Sequence, residues 1–347
     1  AASATCSQGG VAPGSGGGCR RREACPVRLR TILLAILNTI GLLLMAQALP
    51  ASAAGASAQV PPWLQAHVGD ADGQISRVVL ERARALYERK SSDGTVRNPC
   101  YFAMDATRPG DLGGGQLGRR YYIICEAKQL FRAVPSGHGA GRNLKGVVDF
   151  SNGRQCVKNF GNAQDSELTM GGGYITADTK TSFKGYYRNA ARQDAILQRT
   201  FIQFDGEGET ANARERLIGG HAAQVLKGMC KRKKPGSPYA DRQGYVLFGK
   251  LVDYAGGRSN GCTSWSAQDA AEIIPMMKGN PTTLYIYPES RDIAAAGHGG
   301  SYWNASCLKQ IGAPKFWPKK TLEPLIAQYK QDHPAPPPQP IPICTGP

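Results

Sequence analysis

The sequence predicts a mainly β protein with a few peripheral helices. Three observations carry that expectation. The 43 glycines and 23 prolines among 347 residues require many turns. From Pro99 onward the apolar residues come in short runs broken by glycine, the pattern of strands rather than helices. Helical spacing is confined to two stretches, one before Pro99 and one after Ser266. With 41% hydrophobic residues, the chain can bury a core in one or two domains.

Taken in order, residues 1–19 carry no structural signal. Arg20, Arg21, Arg22, Arg28 and Arg30 then form a basic region before the apolar stretch Thr31 to Leu49. Ala51-Ser52-Ala53 and Ala56-Ser57-Ala58 are small-x-small cleavage patterns. Residues 1–58 are therefore expected to be a leader and export signal. An uncleaved anchor is the alternative, because the apolar stretch approaches a spanning length.

Residues 59–98 are expected to be a connector with one helix. Ile75, Val78, Val79, Ala83, Leu86 and Tyr87 fall on one face between Ile75 and Lys90. The main domain is expected over 99–290. Its strand candidates are Cys100 to Ala106, Tyr121 to Ala127, Leu130 to Val134, Gly173 to Ala177, Thr200 to Phe204, Tyr245 to Leu251 and Thr282 to Tyr287. A glycine-rich turn between the first two would bring Cys100 beside Cys125. Ser266 with Asp269 marks a helix start, and Ala270, Ile273, Ile274 and Met277 fit its buried face, with Pro275 set to kink or end it. The basic run Lys231 to Lys234 reads as a solvated loop tip. Residues 291–347 read as a loop-rich extension with a proline-rich tail, its end tethered through Cys344.

Net charge is +16, and without residues 1–58 it is still +12, from 37 Lys and Arg against 25 Asp and Glu. Such a balance favours an anionic partner, either a polyanionic envelope or a membrane surface. Nucleic acid is not expected, because no RNP, helix-turn-helix or zinc-finger pattern occurs. Contact with a membrane is expected only through the N-terminal signal or anchor. Seven cysteines follow residue 58: Cys100, Cys125, Cys156, Cys230, Cys262, Cys307 and Cys344. In an oxidising compartment six can pair and one is left over.

The stretch GGRSNGCTSW, Gly256 to Trp265, sets Cys262 between a glycine-flanked turn and a helix start. Thiol catalysis needs a thiolate, a base, and N–H donors for the oxyanion. The chain has five histidines. His67 and His333 lie in terminal segments. His138 and His298 are flanked by glycine and expected at the surface. His221 ends RERLIGGH and is the best base. No C-x-x-C or paired His/Cys spacing occurs, so neither a metal nor another cofactor is expected.

Five ordered segments then resemble the murein L,D-transpeptidase catalytic domain, the YkuD-like group, in its S-x-G-C variant. They are SGHGAGRN, MGGGYITADT, DGEGETANARERLIGGH, GRSNGC and TTLYIYP, between Tyr101 and about Pro288. The resemblance implies a β-sandwich or open-barrel domain acting on peptidoglycan stem peptides. Cys262 would be the nucleophile, His221 the base, and the Gly261 and Cys262 N–H groups the oxyanion donors. Ser259, Asn260 and Arg258 would shape the motif, and His138 would lie in the cleft as a substrate-binding candidate. In that reaction a thioester forms on a stem-peptide diamino acid, D-alanine leaves, and an amine from a second stem or an anchored protein takes the acyl group. Water as acceptor would give an L,D-carboxypeptidase or endopeptidase, and an inactive wall-binding module is a further alternative. The chain departs from the pattern at Ala222, where the family has glycine, at Asn260 and Thr263, and in the length between His221 and Cys262.

Overall fold

A computed structural model describes residues 59–345; the expected leader and export signal lie outside the described residues. The fold is mainly β. After a helical turn at Pro62–Gln65 comes helix α1 (Arg77–Ser92), which buries Val79, Ala83 and Leu86 of the predicted face together with Leu80. Strands β1 (Tyr101–Asp105), β2 (Arg119–Cys125) and β3 (Leu130–Pro135) form an antiparallel meander, followed by the short β4 (His138–Gly139). Two long strands come next, β5 (Gly172–Arg188) and β6 (Asp194–Gly206). The chain continues through β7 (Gly219–Ala222), β8 (Gln224–Lys233), β9 (Tyr245–Asp253), β10 (Arg258–Ser259) and β11 (Thr263–Trp265). Helix α2 (Ala267–Met277) leads into β12 (Thr283–Tyr287), and α3 (Ser290–Ala296), α4 (Ala305–Ile311) and α5 (Lys319–Asp332) follow.

The principal sheet has ten strands, eight of them in the order β11–β7–β6–β5–β12–β1–β2–β3. The other two, β8 and β9, form a hairpin that joins through β9 to the outer end of β5, where Tyr186 pairs with Phe248. Alternation along the strands divides the core in two. Phe102, Met104, Tyr121, Ile123, Leu284 and Ile286 face Trp265 and the buried side of α2. Tyr101, Ala103, Tyr122, Ile124, Tyr285 and Tyr287 face α1. Burial on both faces explains why Tyr101 to Met104 of β1 is an apolar run, and large side chains such as Phe102 and Met104 contribute about 1.5–3 kcal/mol each. Beyond β3, the Gly137 N–H donates to the Ser264 carbonyl at 2.8 Å, which joins the two ends of the eight-strand path.

The expected bridge Cys100–Cys125 is present: the pairing of Tyr101 with Ile124 brings their neighbours together at the start of β1 and the end of β2. Cys156–Cys307 and Cys230–Cys344 complete three disulfides among the described residues, as befits an oxidising, exported setting. Cys262 is the free cysteine among the described residues. No helix among those residues is long and apolar enough to cross a membrane.

Two expectations are corrected. Residues 231–233 of the basic run are not a loop tip but the last part of β8. Arg232 stacks its guanidinium 3.5 Å from the Phe248 ring centre and pairs with Asp194, so its charge masked a strand position. Beyond 290 the chain is not predominantly loop. Short helices α3 and α4 start at a Glu289 capping box and an Asn304 cap, and α5 buries Leu322 and Ile326 against Phe150, Leu168 and Trp317. The tail does run extended. Lys231 N–H donates to the Pro342 carbonyl at 2.7 Å and Cys344 N–H to the Lys231 carbonyl at 3.0 Å, so it covers the outer edge of β8.

Candidate active site

Cys262 and His221 lie 41 positions apart in sequence and are carried onto neighbouring strands by one parallel strand pair, with no direct hydrogen bond between thiol and imidazole among the described residues. Gly220 pairs with Thr263 and His221 with Ser264 across β7 and β11. Strand alternation then sends Cys262, Ser264 and His221 to one face, opposite the buried Thr263 and Trp265. Gly220 is required in that pair, because a Cβ there would sit 2.3 Å from the Trp265 ring. The intervening residues form the β8–β9 hairpin, whose exit is pinned by Tyr254 N–H donating to the Ala223 carbonyl at 2.8 Å. The long spacing is therefore an inserted hairpin that leaves the two ends in register.

The turn before β11 holds the sulfur in place. Ser259 Oγ donates to the Cys262 carbonyl at 2.5 Å, closing the turn over three residues. Gly261 adopts φ +104°, and a side chain there would meet Ile218 at 2.8 Å and the Leu168 carbonyl at 3.0 Å. Among the described residues neither the Gly261 nor the Cys262 N–H has a protein acceptor, so both donors are uncommitted. Cys262 is 9% exposed and its thiol donates to the Leu217 carbonyl at 3.6 Å. Arg258 donates to the Asn152 carbonyl at 3.1 Å, and Asn260 is exposed at the rim. Ser266 caps α2 as predicted, accepting from Asp269 N–H at 3.0 Å, and the helix ends two residues after Pro275.

Protonation follows from burial. Burial pushes the Cys262 thiol above its ordinary value, while the Gly219 backbone and the cations Arg199 and Arg216 act in the opposite sense. Burial lowers His221 to about 4, opposed by the Ala222 carbonyl and assisted by Arg199 and Lys184. At neutral pH the resting pair is thus thiol and neutral imidazole. The His221 Nδ1 lies 2.8 Å from the Ala222 carbonyl, which can only accept, so Nδ1 carries the proton and Nε2 the lone pair.

His138 is placed differently from expectation. It is wholly buried, not at the surface or in an open cleft. Its strand β4 pairs with β10, Arg258 opposite His138 and Ser259 opposite Gly139, so it backs the cysteine turn. The flanking glycines allow this closeness: a Cβ on Gly139 would lie 2.3 Å from the Thr169 amide. Burial lowers the ring to about 3, with Arg120 adding to the effect, and Nδ1 faces the Gly139 carbonyl at 2.9 Å. In this position it packs behind the turn, and its Nε2 is buried without a hydrogen-bond partner among the described residues.

Sequence reasoning passed over two arginines. Arg216, in the segment leading to β7, donates to the Leu168 carbonyl at 2.7 Å and would lie 3.7 Å from a Gly261 side chain. Arg199 precedes Phe201 by two positions on β6, and Phe201 pairs with His221, so Arg199 shares the dyad's face. The arginine-rich spacing before His221 was the available signal. A cavity of about 690 Å³ beside α1, lined by Arg82, Arg89, Glu207 and Glu209 among others, includes neither Cys262 nor His221. Compared with family models, with curated proteins and with solved structures, the chain has no match.

Proposed function

We propose that the chain is an exported cysteine acyltransferase, a peptidoglycan L,D-transpeptidase with an open-barrel catalytic domain. The observation that carries this is the pairing of every described cysteine except Cys262, which stands immediately before the strand that pairs with the strand of His221. The five ordered motifs, the Gly137–Ser264 bond joining the sheet's ends, and the free N–H groups of the cysteine turn add support.

In this reading His221 Nε2 takes the thiol proton as the sulfur attacks the carbonyl of the stem-peptide diamino acid. The oxyanion is held by the Gly261 and Cys262 N–H groups. Collapse breaks the peptide bond, and the imidazolium returns its proton to the departing amine of D-alanine. An acceptor amine then attacks the thioester, gives its proton to His221, and releases the sulfur, which is reprotonated.

The test is acylation of Cys262→Ser by a carbapenem-type β-lactam, followed by intact mass. The wild-type protein is expected to gain one adduct and the variant none. Acylation of the variant removes Cys262 as nucleophile. Product masses from muropeptides separate amine transfer from hydrolysis.

A further inference from the structure

The described arginines that are buried or bridge elements mostly meet a carboxylate. Arg82 meets Asp292, Arg108 meets Asp105, and Arg132 meets Asp269. Arg214 is a direct contrast within one turn, since it pairs with Asp205 at 2.6 Å and Asp178 at 3.0 Å. Two positions on, Arg216 turns inward beside Cys262, and no described carboxylate comes within 4.0 Å of it. Its Nη2 is spent on the Leu168 carbonyl and, at 3.4 Å, on Ser166 Oγ. Nε and Nη1 have no acceptor among the described residues and are not closed off from solvent. Arg199, on the dyad's face, likewise has no described carboxylate within 4.0 Å.

The charge at the site therefore does not balance. Transfer of the thiol proton to His221 creates a thiolate and an imidazolium, whose charges cancel, and so leaves both arginines uncompensated. The carboxylates Arg216 feels, Glu323 and Asp165, act on it more weakly than Cys262 does. Both are committed elsewhere, Glu323 to Lys319 and the Gln164 amide, Asp165 to Lys330. A half-buried guanidinium with two open donors is a fork for a planar anion.

We infer that Arg216, assisted by Arg199, binds a carboxylate of the donor peptide next to the attacked carbonyl and selects donors that carry it. This rests on the transpeptidase reading and deepens it. Two carboxylates of a stem tetrapeptide qualify: that of the leaving D-alanine, and a second carboxylate on the diamino acid.

Three synthetic tetrapeptides decide the matter, one with both carboxylates free, one amidated at the C-terminus, and one amidated on the diamino acid. The readout is kcat/KM for the wild-type protein and for Arg216→Gln, with folding verified by a thermal melt matched to the wild type. For the wild type, amidating the bound carboxylate is expected to cost roughly ten- to a hundredfold, and the peptide that suffers identifies its source. In Arg216→Gln that preference is expected to vanish. Arg216→Lys, which keeps the charge without the fork, is expected to retain a reduced preference, and it carries the comparison should the glutamine variant not fold.

Equal use of all three peptides by the wild type overturns the inference and leaves the transpeptidase reading standing. So does an Arg216→Gln that slows every peptide alike and keeps the preference, since the arginine then serves the sulfur alone. Turnover of none of them overturns the reading, and the inference with it.

Discussion

Replacing Gly261 with alanine tests whether the cysteine turn is built as described. The residue sits at φ +104°, where an L side chain is strained by about 1–3 kcal/mol. The added Cβ would also lie 2.8 Å from Ile218 Cδ1 and 3.0 Å from the Leu168 carbonyl. The isoleucine methyl can yield, whereas the carbonyl is backbone and also accepts from Arg216. Overpacking of that kind adds about 1–3 kcal/mol. The combined loss of roughly 2–6 kcal/mol corresponds to a fall in Tm of roughly 5–20 °C for a domain of this size. Gly236→Ala is the control, because nothing lies within 4 Å of its added Cβ and its φ is not positive. Calorimetry of both variants and mass-detected acylation are the assays. A Gly261→Ala protein that melts with wild type and acylates at the wild-type rate would refute this description of the turn.

Three further outcomes are expected. His221→Ala should slow acylation of Cys262 at pH 7 by roughly 10²–10⁴-fold, measured in single-turnover mass assays, and an unchanged rate would remove it as the base. Stability should fall as pH drops. His221 and His138 are held at about 4 and about 3, below the unfolded value of about 6.5, so the unfolded chain binds more protons in that window. The slope approaches roughly 1.4 kcal/mol per histidine per pH unit below about pH 6; urea titrations giving a flat profile from pH 6.5 to 5 would contradict it. Cys344→Ser opens a bridge spanning 114 positions, which should cost about 2–5 kcal/mol, raise the titratable thiols from one to two, and expose the segment after Asp332 to proteolysis. A tail as protease-resistant as wild type would show that the hydrogen bonds to Lys231 suffice.

What the sequence made legible follows burial. Strands β1, β2 and β12 are buried on both faces, so their apolar runs stand out, and the Cys100–Cys125 bridge follows from pairing two of them. The outer halves of β5 and β6 did not stand out. Only Gly173 to Ala177 and Thr200 to Phe204 were readable, whereas the strands run Gly172–Arg188 and Asp194–Gly206. Their remaining residues are largely polar, and irregularities between Thr176 and Thr179 and between Phe183 and Gly185 break the alternation. Strand β8 was hidden by its own lysines and arginine. At the site, an odd cysteine and a histidine could be named from sequence alone. Arg216 could not, because its place is set by Ser166 and Leu168, about 50 positions away. His138 was misjudged because flanking glycines serve close strand approach as readily as exposure.

The parallel pairing of β7 with β11 also bears on how the protein matures. It joins residues on either side of the β8–β9 hairpin, which makes it a long-range contact. Before it forms, Cys262 is one of the seven thiols that follow residue 58, each able to attack or be attacked in disulfide exchange. Once the strands zip together, the sulfur is turned toward the Leu217 carbonyl with 9% exposure, and other protein thiols lose access to it. The strand pair that sets Cys262 and His221 on neighbouring strands is also what ends the competition for that cysteine. A refolding experiment that traps mixed disulfides over time should find Cys262 among the early species and absent from the late ones.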